Sequence, residues 1–542
     1  MSNLSIGFPA TADDDCVPNL LERSAARSPN AIAIAIGETR ISYSELAQRV
    51  RSLEQGMAEL GIRKGDRVVL MLPNTPAYVM TSYALLRIGA VVVNVSPQSQ
   101  GSELLHILRE TEAVALFTLD VFLPGLYKVL DKSLIKYLFI SSVQGLEKKL
   151  PVPERTPIPR YLEELFRPPK NPTERPASVA DDLAVIQFTS GSTGTPKGVM
   201  LTHRNLLASV RQSAVWMNAA ELPNAGVLCV IPFFHVFGMT IGLHVTIAKG
   251  YRLILVPRFD ALDLMPILRL IEVERPLSFP AVPTLWAALM SHPLVKKESL
   301  ASIRVASSGG ASLPEWVQRK YRELTGLPIY EAYGLSEAVG ATHCSPFPQG
   351  GPLGSIGRPL SAVTAKLCDP SDPEREVSDG EVGELAVRGE VVMRGYFGNP
   401  TLTDRVLRNG WLYTGDLARR DDEGLYFIVD RKDDLIITSG YNVYPSEVEA
   451  VLSRHPAVAD VAVSGRADRL RGQVVIAHVV LNPNAIVTAE ELTQLCRDNL
   501  PDYKVPRSML FTDRVPRNPA GKTLRKDLSK AESEPSQRRS DG

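Results

Sequence analysis

At 542 residues the chain is too long for one ordinary core, and a norm of about 150 residues per domain predicts several subdomains. Lys and Arg total 60 against 60 Asp and Glu, so the formal charge is zero and, with no long basic run before the tail, a nucleic-acid partner is excluded from the expectations. The 5 cysteines (Cys16, Cys229, Cys344, Cys368, Cys496) lie far apart without a CxxC pair, which argues against a disulfide scaffold and for a reducing, cytoplasmic setting.

The N-terminus is polar, with three aspartates before Cys16 and no secretory signal. Ser42-Tyr-Ser-Glu45 has capping-box spacing, and Leu46, Val50, Leu53, Met57 and Leu60 follow at steps of four and three, predicting an amphipathic helix that Gly61 ends. Arg67–Leu72 then reads as a buried strand, Pro76–Ile88 as a helix and Ala90–Val95 as the next strand. Alternating strands and helices imply a parallel α/β sheet. Val152–Ala180, rich in proline and charge, reads as a connecting loop and a subdomain seam. Leu183–Phe188 predicts a buried strand, and a helix capped by Thr202 or Asn205 follows.

Val227–Ala248 carries no Lys, Arg, Asp or Glu over 22 residues, approaching the length of a membrane span. Pro232, His235, Gly238 and His244 interrupt it, so a buried strand, loop and helix is the better expectation. After Asp430 the character changes: Pro445–Ser453 reads as a helix, Ala459–Val463 and Val474–Leu481 as strands, and Thr488-Ala-Glu-Glu491 boxes another helix. The expected organisation is α/β, with a large domain over 1–430 made of stacked subdomains, a hinge at 431–434 and a small mobile α+β domain over 435–528. Residues 529–542, with no apolar period, read as a disordered tail.

Thr189-Ser-Gly-Ser-Thr-Gly-Thr-Pro-Lys-Gly-Val199 concentrates glycines, small hydroxyls and a lysine. Glycines let backbone N–H groups turn toward an anion, hydroxyls donate further bonds, and Lys197 supplies a compact charge, so the segment predicts phosphate handling. It is not a Walker A loop, because Pro196 stands where that motif needs glycine and Gly198 follows the lysine.

Six further segments stand beside it: Ile231-Pro-Phe-Phe-His-Val-Phe-Gly238, Ser307-Ser-Gly-Gly-Ala-Ser-Leu-Pro314, Tyr330-Glu-Ala-Tyr-Gly-Leu-Ser-Glu337, Tyr413-Thr-Gly-Asp416, Asp430-Arg-Lys-Asp-Asp434 and Asn518-Pro-Ala-Gly-Lys522. In this order they resemble the adenylate-forming superfamily of acyl-CoA synthetases, peptide-synthetase adenylation domains and luciferases, over residues 20–528. The wording around His235, Gly309 and Asp430 is most similar to bacterial medium- and long-chain fatty acid CoA ligases.

The resemblance implies ATP, Mg²⁺ and CoA as reactants and cofactors, and it implies roles. Thr189, Ser190, Gly191, Ser192, Thr193, Gly194 and Lys197 would cradle the β- and γ-phosphates, with Glu337 holding Mg²⁺ and the Ser336 hydroxyl at the α-phosphate. Tyr333 would stack on adenine within Glu331, Ala332 and Gly334, and the backbone of Gly309, Gly310 and Ala311 would lie along the nucleotide. Asp416 would accept from the ribose hydroxyls with Arg431 in support. His235 would flank the substrate carboxylate, Phe237, Gly238, Met239, Leu335 and Val339 would wall the acyl pocket, and Lys522 would bridge carboxylate and α-phosphate. The lid would swing at Asp433 and present Ser439, Gly440 and Tyr441 to CoA.

Outside that context several of these residues have plainer readings: a lone Asp after Gly is usually a turn residue, and a His in an apolar run usually a core residue. Two departures stand out. Ile437 occupies a position that is lysine in some relatives, luciferases among them, and Asn94-Val-Ser-Pro-Gln-Ser-Gln-Gly101 departs from the usual pattern before its helix. The leading expectation is ligation of a medium- or long-chain fatty acid to CoA. An aryl acid ligase, a ligase loading a carrier protein, and a non-catalytic binder of nucleotide and lipid stay open as rivals, as do peripheral membrane contact and a homodimer.

Overall fold

The computed structural model describes residues 15–142, 157–168, 178–190, 196–217, 225–260, 263–439 and 441–517, together with Thr523, Arg525 and Leu528. It divides into two compact units: the residues through Ala365 with Val387–Leu412, and Lys366–Ala386 with the residues from Tyr413 onward.

Local chemistry sets the first elements of the larger unit. The Ser42 hydroxyl accepts from the Glu45 N–H, and the Glu45 carboxylate accepts from the Ser42 N–H at 2.8 Å, so the helix Tyr43–Glu59 starts at a closed capping box. The helix Pro76–Ile88 begins with proline in its first turn and ends on Gly89 at φ 80°, a left-handed cap that glycine adopts without strain.

Two sheets organise this unit. An eight-stranded sheet runs in the order Gly395–Tyr396, Pro196–Thr202, Leu183–Ser190, Val91–Asn94, Arg67–Met71, Ala115–Leu119, Tyr137–Ser141, Pro159–Tyr161. Its six strands from Leu183–Ser190 to Pro159–Tyr161 pair in parallel, with Val68 opposite both Val92 and Ala115. A nine-stranded sheet runs Arg358–Pro359, Gly340–Cys344, Ile329–Leu335, Val305–Gly309, Ser278–Ala281, Gly226–Cys229, Arg252–Leu255, Ile32–Ile36, Thr39–Ser42. Buried Val, Ile and Leu fill the space between sheet and helices in both, and in the second core Trp286 lies tilted against Phe279 and edge to face with Tyr321.

Two expectations change in detail, and a third holds. Part of the anticipated loop 189–199 is strand: Pro196–Thr202 pairs antiparallel with Leu183–Ser190, with Thr189 opposite Lys197, and residues 191–195 lie outside the described residues. The seam over 152–180 contains a strand, Pro159–Tyr161, which joins the sheet edge because Phe139 and its neighbours offer an open ladder. The apolar run 227–248 folds as the strand Gly226–Cys229, a loop, the π-helix Gly238–Val245 and a short helix, and among the described residues no helix is long and apolar enough to cross a membrane.

In the smaller unit, the part of strand Trp411–Arg420 from Tyr413 onward pairs with Tyr426–Arg431 in antiparallel, placing Asp416 opposite Arg431. The helices Pro445–Leu452 and Ala489–Asn499, the latter capped by the Thr488–Glu491 box, cover strands Val458–Asp468 and Gly472–Leu481 around Val448, Val463, Val475 and Leu492.

Candidate active site

In the larger unit the candidate residues collect where strands of both sheets end. The parallel register sets Ser308 beside Glu331 and Gly309 beside Ala332, so the Ser-Gly-Gly turn and the Tyr-Gly-Leu-Ser-Glu segment are neighbours. Gly310, at φ 90°, has open space where a side chain would stand, which leaves its backbone approachable. A Cβ on Gly309 would stand 3.0 Å from the Ala332 carbonyl and 3.4 Å from the Phe237 ring, so glycine lets Phe237 lie against this strand end.

The His235 segment is tied in by backbone bonds. Gln187 donates to the Phe234 carbonyl at 2.7 Å, joining the strand that leads to Thr189 to the residue before His235. A Cβ on Gly238 would stand 2.2 Å from the Pro232 carbonyl oxygen, so the turn into the π-helix requires glycine there. His235 has an exposed surface, yet the protein packed around its ring lowers its imidazole below the ordinary value. Met239 and Val339 are fully buried, whereas Phe237 and Leu335 are half-buried.

Tyr333 meets His343 edge-on at 5.9 Å from the opposite strand, which sets the plane of its half-buried ring. Gly334 approaches Gly340 so closely that a Cβ would stand 1.6 Å from its carbonyl oxygen. Glu331 is buried, its carboxylate accepts a long bond from the Leu313 N–H at 3.4 Å, and burial pushes its carboxyl up to about 7. Ser336 and Glu337 begin a short 3₁₀ turn, and both are half-buried.

Glu337 is held by a residue that no sequence signal singled out. Tyr396 donates its hydroxyl to the Glu337 carboxylate at 2.7 Å, and the Lys197 ammonium stands 5.9 Å from the Tyr396 ring centroid. The Met393 N–H also donates to the Glu337 carbonyl at 2.8 Å. Tyr396 reaches this place because its strand pairs with Pro196–Thr202, Tyr396 opposite Val199. The available clue was Arg394-Gly-Tyr-Phe-Gly-Asn-Pro400, an aromatic pair bracketed by glycines, and Gln187 lay unremarked in an apolar strand.

The smaller unit carries its own candidates. Asp416 is buried and accepts from Arg431 Nη1 at 2.6 Å, while Lys432 reaches Glu384 at 2.7 Å. Asp433 is exposed in the 3₁₀ turn Lys432–Asp434. Ser439 sits at φ 50°, and the exposed Tyr441 stacks on Tyr503 at 4.6 Å. Gly191, Ser192, Thr193, Gly194, Gly440 and Lys522 lie outside the described residues, and so does the Ser190 side chain.

The metal expectation can be tested on the donor set. Among the described residues no group of three or more His, Cys, Asp or Glu could hold a metal ion. One half-buried carboxylate, Glu337, beside a hydroxyl suits Mg²⁺, which takes one or two carboxylates and completes its shell with substrate phosphates and water.

A family model described as AMP-binding enzyme matches residues 21–397, and one described as AMP-binding enzyme C-terminal domain matches 447–522. The chain is 36% identical over 541 residues to a long-chain-fatty-acid–CoA ligase of Bacillus subtilis, covering 95% of this chain and 94% of that protein. It is 34% identical over 507 residues to a feruloyl-CoA synthase of an Amycolatopsis species, covering 93% and 97%. Among solved structures, ATP-bound MatB from Rhodopseudomonas palustris aligns with a TM-score of 0.85 at 27% identity, covering 95% of this chain and 99% of that one.

Proposed function

Because the chain belongs to the AMP-binding enzyme family, we propose that it is an ATP-dependent acid–thiol ligase that joins a medium- or long-chain fatty acid to CoA. A carboxylate resists attack by a thiol, so it must first become a mixed anhydride. A carboxylate oxygen attacks the α-phosphorus of ATP, the bond to the β-phosphate breaks, and pyrophosphate leaves with that electron pair. The CoA sulfur, as thiolate, then attacks the acyl carbon and AMP departs. Both steps move negative charge, so fixed cations and N–H donors matter more than covalent help.

In this reading Lys197 and residues 191–194 bind the outer phosphates, while Tyr333, Glu331 and the Gly309–Ala311 backbone hold the nucleotide. Mg²⁺ neutralises phosphate charge when bound, and Glu337, fixed by Tyr396, is the carboxylate that would hold it. Asp416 accepts from Arg431 through one oxygen, and its carboxylate would also accept from the ribose hydroxyls. His235 and Phe237, the latter against Gly309, would face the acid, and Lys522 would supply charge to the first step only, the lid moving about Asp433 before the thiol enters. The observation that carries the reading is Tyr396 set between Lys197 and Glu337, which gathers a phosphate-binding cation and a metal-binding acid from distant segments.

An aryl acid is the second reading, favoured by the Phe237 ring lying against Gly309 and by the feruloyl-CoA synthase relative. The five cysteines are all free, which supports a cytoplasmic setting. The deciding experiment is pyrophosphate release with free CoA over a panel of saturated acids, cinnamates and benzoates. Saturated acids of eight or more carbons should give the highest kcat/KM. A marked preference for aromatic acids would replace the proposal with its rival, and acylation of a phosphopantetheinylated carrier but not of CoA would overturn it.

A further inference from the structure

Residues 230–235, which carry His235 to the site, pair with no strand, so side chains from other elements hold their backbone. The Asn74 amide donates to the carbonyls of Cys229 and Ile231 at 2.8 and 2.9 Å and accepts from the Phe233 N–H at 2.7 Å. The Tyr78 hydroxyl stands 2.9 Å from the Phe233 carbonyl oxygen and 2.7 Å from Asn94 Oδ1. Asn94 Nδ2 donates to Gln187 Oε1 at 3.2 Å, and Gln187 Nε2 donates to the Phe234 carbonyl at 2.7 Å.

All four side chains are buried, at 4% exposure or less, and none is charged. A buried polar network whose members are all partnered specifies one arrangement, so it suits the fixing of geometry. The His235 ring, by contrast, is exposed and makes no hydrogen bond among the described residues, so the backbone at Phe234 decides where it stands. Gln187 reaches that backbone from a strand that is itself held on both sides. Leu183–Ser190 pairs with Val91–Asn94 and with Pro196–Thr202, where Thr189 lies opposite Lys197. Thr189 follows Gln187 by two positions and shares its face of the strand. One amide thus ties the residue before His235 to the strand pair that carries Thr189 and Lys197.

We infer that Gln187 is a positioning residue for acyl-AMP formation: it sets the spacing between an acid held at His235 and a triphosphate held at Thr189 and Lys197. The inference rests on the roles proposed above for those three residues. The Gln187 amide is taken up by Asn94 and Phe234, so it acts on the reactants through the loop. The spacing matters while acid and ATP are separate molecules. Once the acyl–phosphate bond has formed, that bond fixes it, and the thiol step no longer depends on the tether.

The test uses the full chain with ATP, Mg²⁺ and dodecanoate. Acid-dependent exchange of pyrophosphate into ATP reads the first step, and CoA acylation from supplied dodecanoyl-AMP reads the second. Gln187→Met keeps the length of the side chain and loses the donor, and Gln187→Ala is made beside it so that a folding failure of one leaves the test standing. The exchange kcat should fall about a hundredfold in either variant, with the KM for ATP within about twofold and the second step within about threefold. In a His235→Ala background, Gln187→Met should cost nothing further, because both act through one group. A raised KM for ATP at parental kcat, multiplying losses in the double variant, or equal losses in both steps would overturn the inference. Parental exchange by His235→Ala would remove the role of His235 and the inference with it; a slow His235→Ala beside a parental Gln187→Met would remove the inference alone.

Discussion

The Tyr396 hydroxyl donates to the Glu337 carboxylate at 2.7 Å across 59 positions of sequence. The bond orients the carboxylate that, under the proposed function, would hold Mg²⁺. Tyr396→Phe keeps the ring against Lys197 and removes the donor. The loss should be about 1.5 kcal/mol or more, or roughly tenfold in kcat/KM for acyl-AMP formation, with the Mg²⁺ dependence moved to higher concentration. A variant that follows the parental Mg²⁺ titration would show that Tyr396 does not serve Glu337.

Asp416 is buried with Arg431 on one oxygen. If its carboxylate also receives ribose hydroxyls, the parent should discriminate against 2′- and 3′-deoxy-ATP. Asp416→Ala should raise the KM for ATP about tenfold or more and erase that discrimination. Steady-state kinetics with the three nucleotides checks it, and discrimination that survives the substitution would assign the sugar to other residues.

The Glu331 carboxyl, pushed up by burial from 4.5 to about 7, links stability to pH. Between those values the folded chain holds the proton and the unfolded chain does not, so this group's contribution declines as pH rises from the unfolded value through the folded one. The change amounts to about 3 kcal/mol across the window. Glu331→Gln, neutral throughout, should therefore gain on the parent by about that amount between pH 4 and pH 8. Urea unfolding at both pH values measures it, and a constant difference between the two proteins would contradict the assignment.

A methyl group at Gly238 would stand 2.2 Å from the Pro232 carbonyl oxygen and 2.6 Å from that of Ile231, both backbone atoms. Gly238→Ala must move the start of the π-helix and, with it, Phe237. The expected cost is about 1–3 kcal/mol of stability together with a raised KM for the acid. An unfolding midpoint and KM equal to the parent's would mean that the turn is not fixed as described.

The sequence by itself determined the reaction class and the short-range architecture. Seven motifs in register named the family, and Ser42 with Glu45, Thr488 with Glu491, and the strand–helix alternation marked elements that fold as expected, because a cap or an amphipathic face is decided by residues three or four positions apart. Only the tertiary structure decided which distant side chains share a site. Tyr396 reaches Glu337 because its two-residue strand pairs with Pro196–Thr202, and Arg525 reaches Asp434 and Glu449 across 91 and 76 positions because a terminal segment folds back on a strand edge. Strand order and the return of a chain terminus are settled by the packing of whole sheets and helices. No local spacing records them, so Tyr396, Gln187 and Arg525 carried no mark in the sequence equal to their place in the fold.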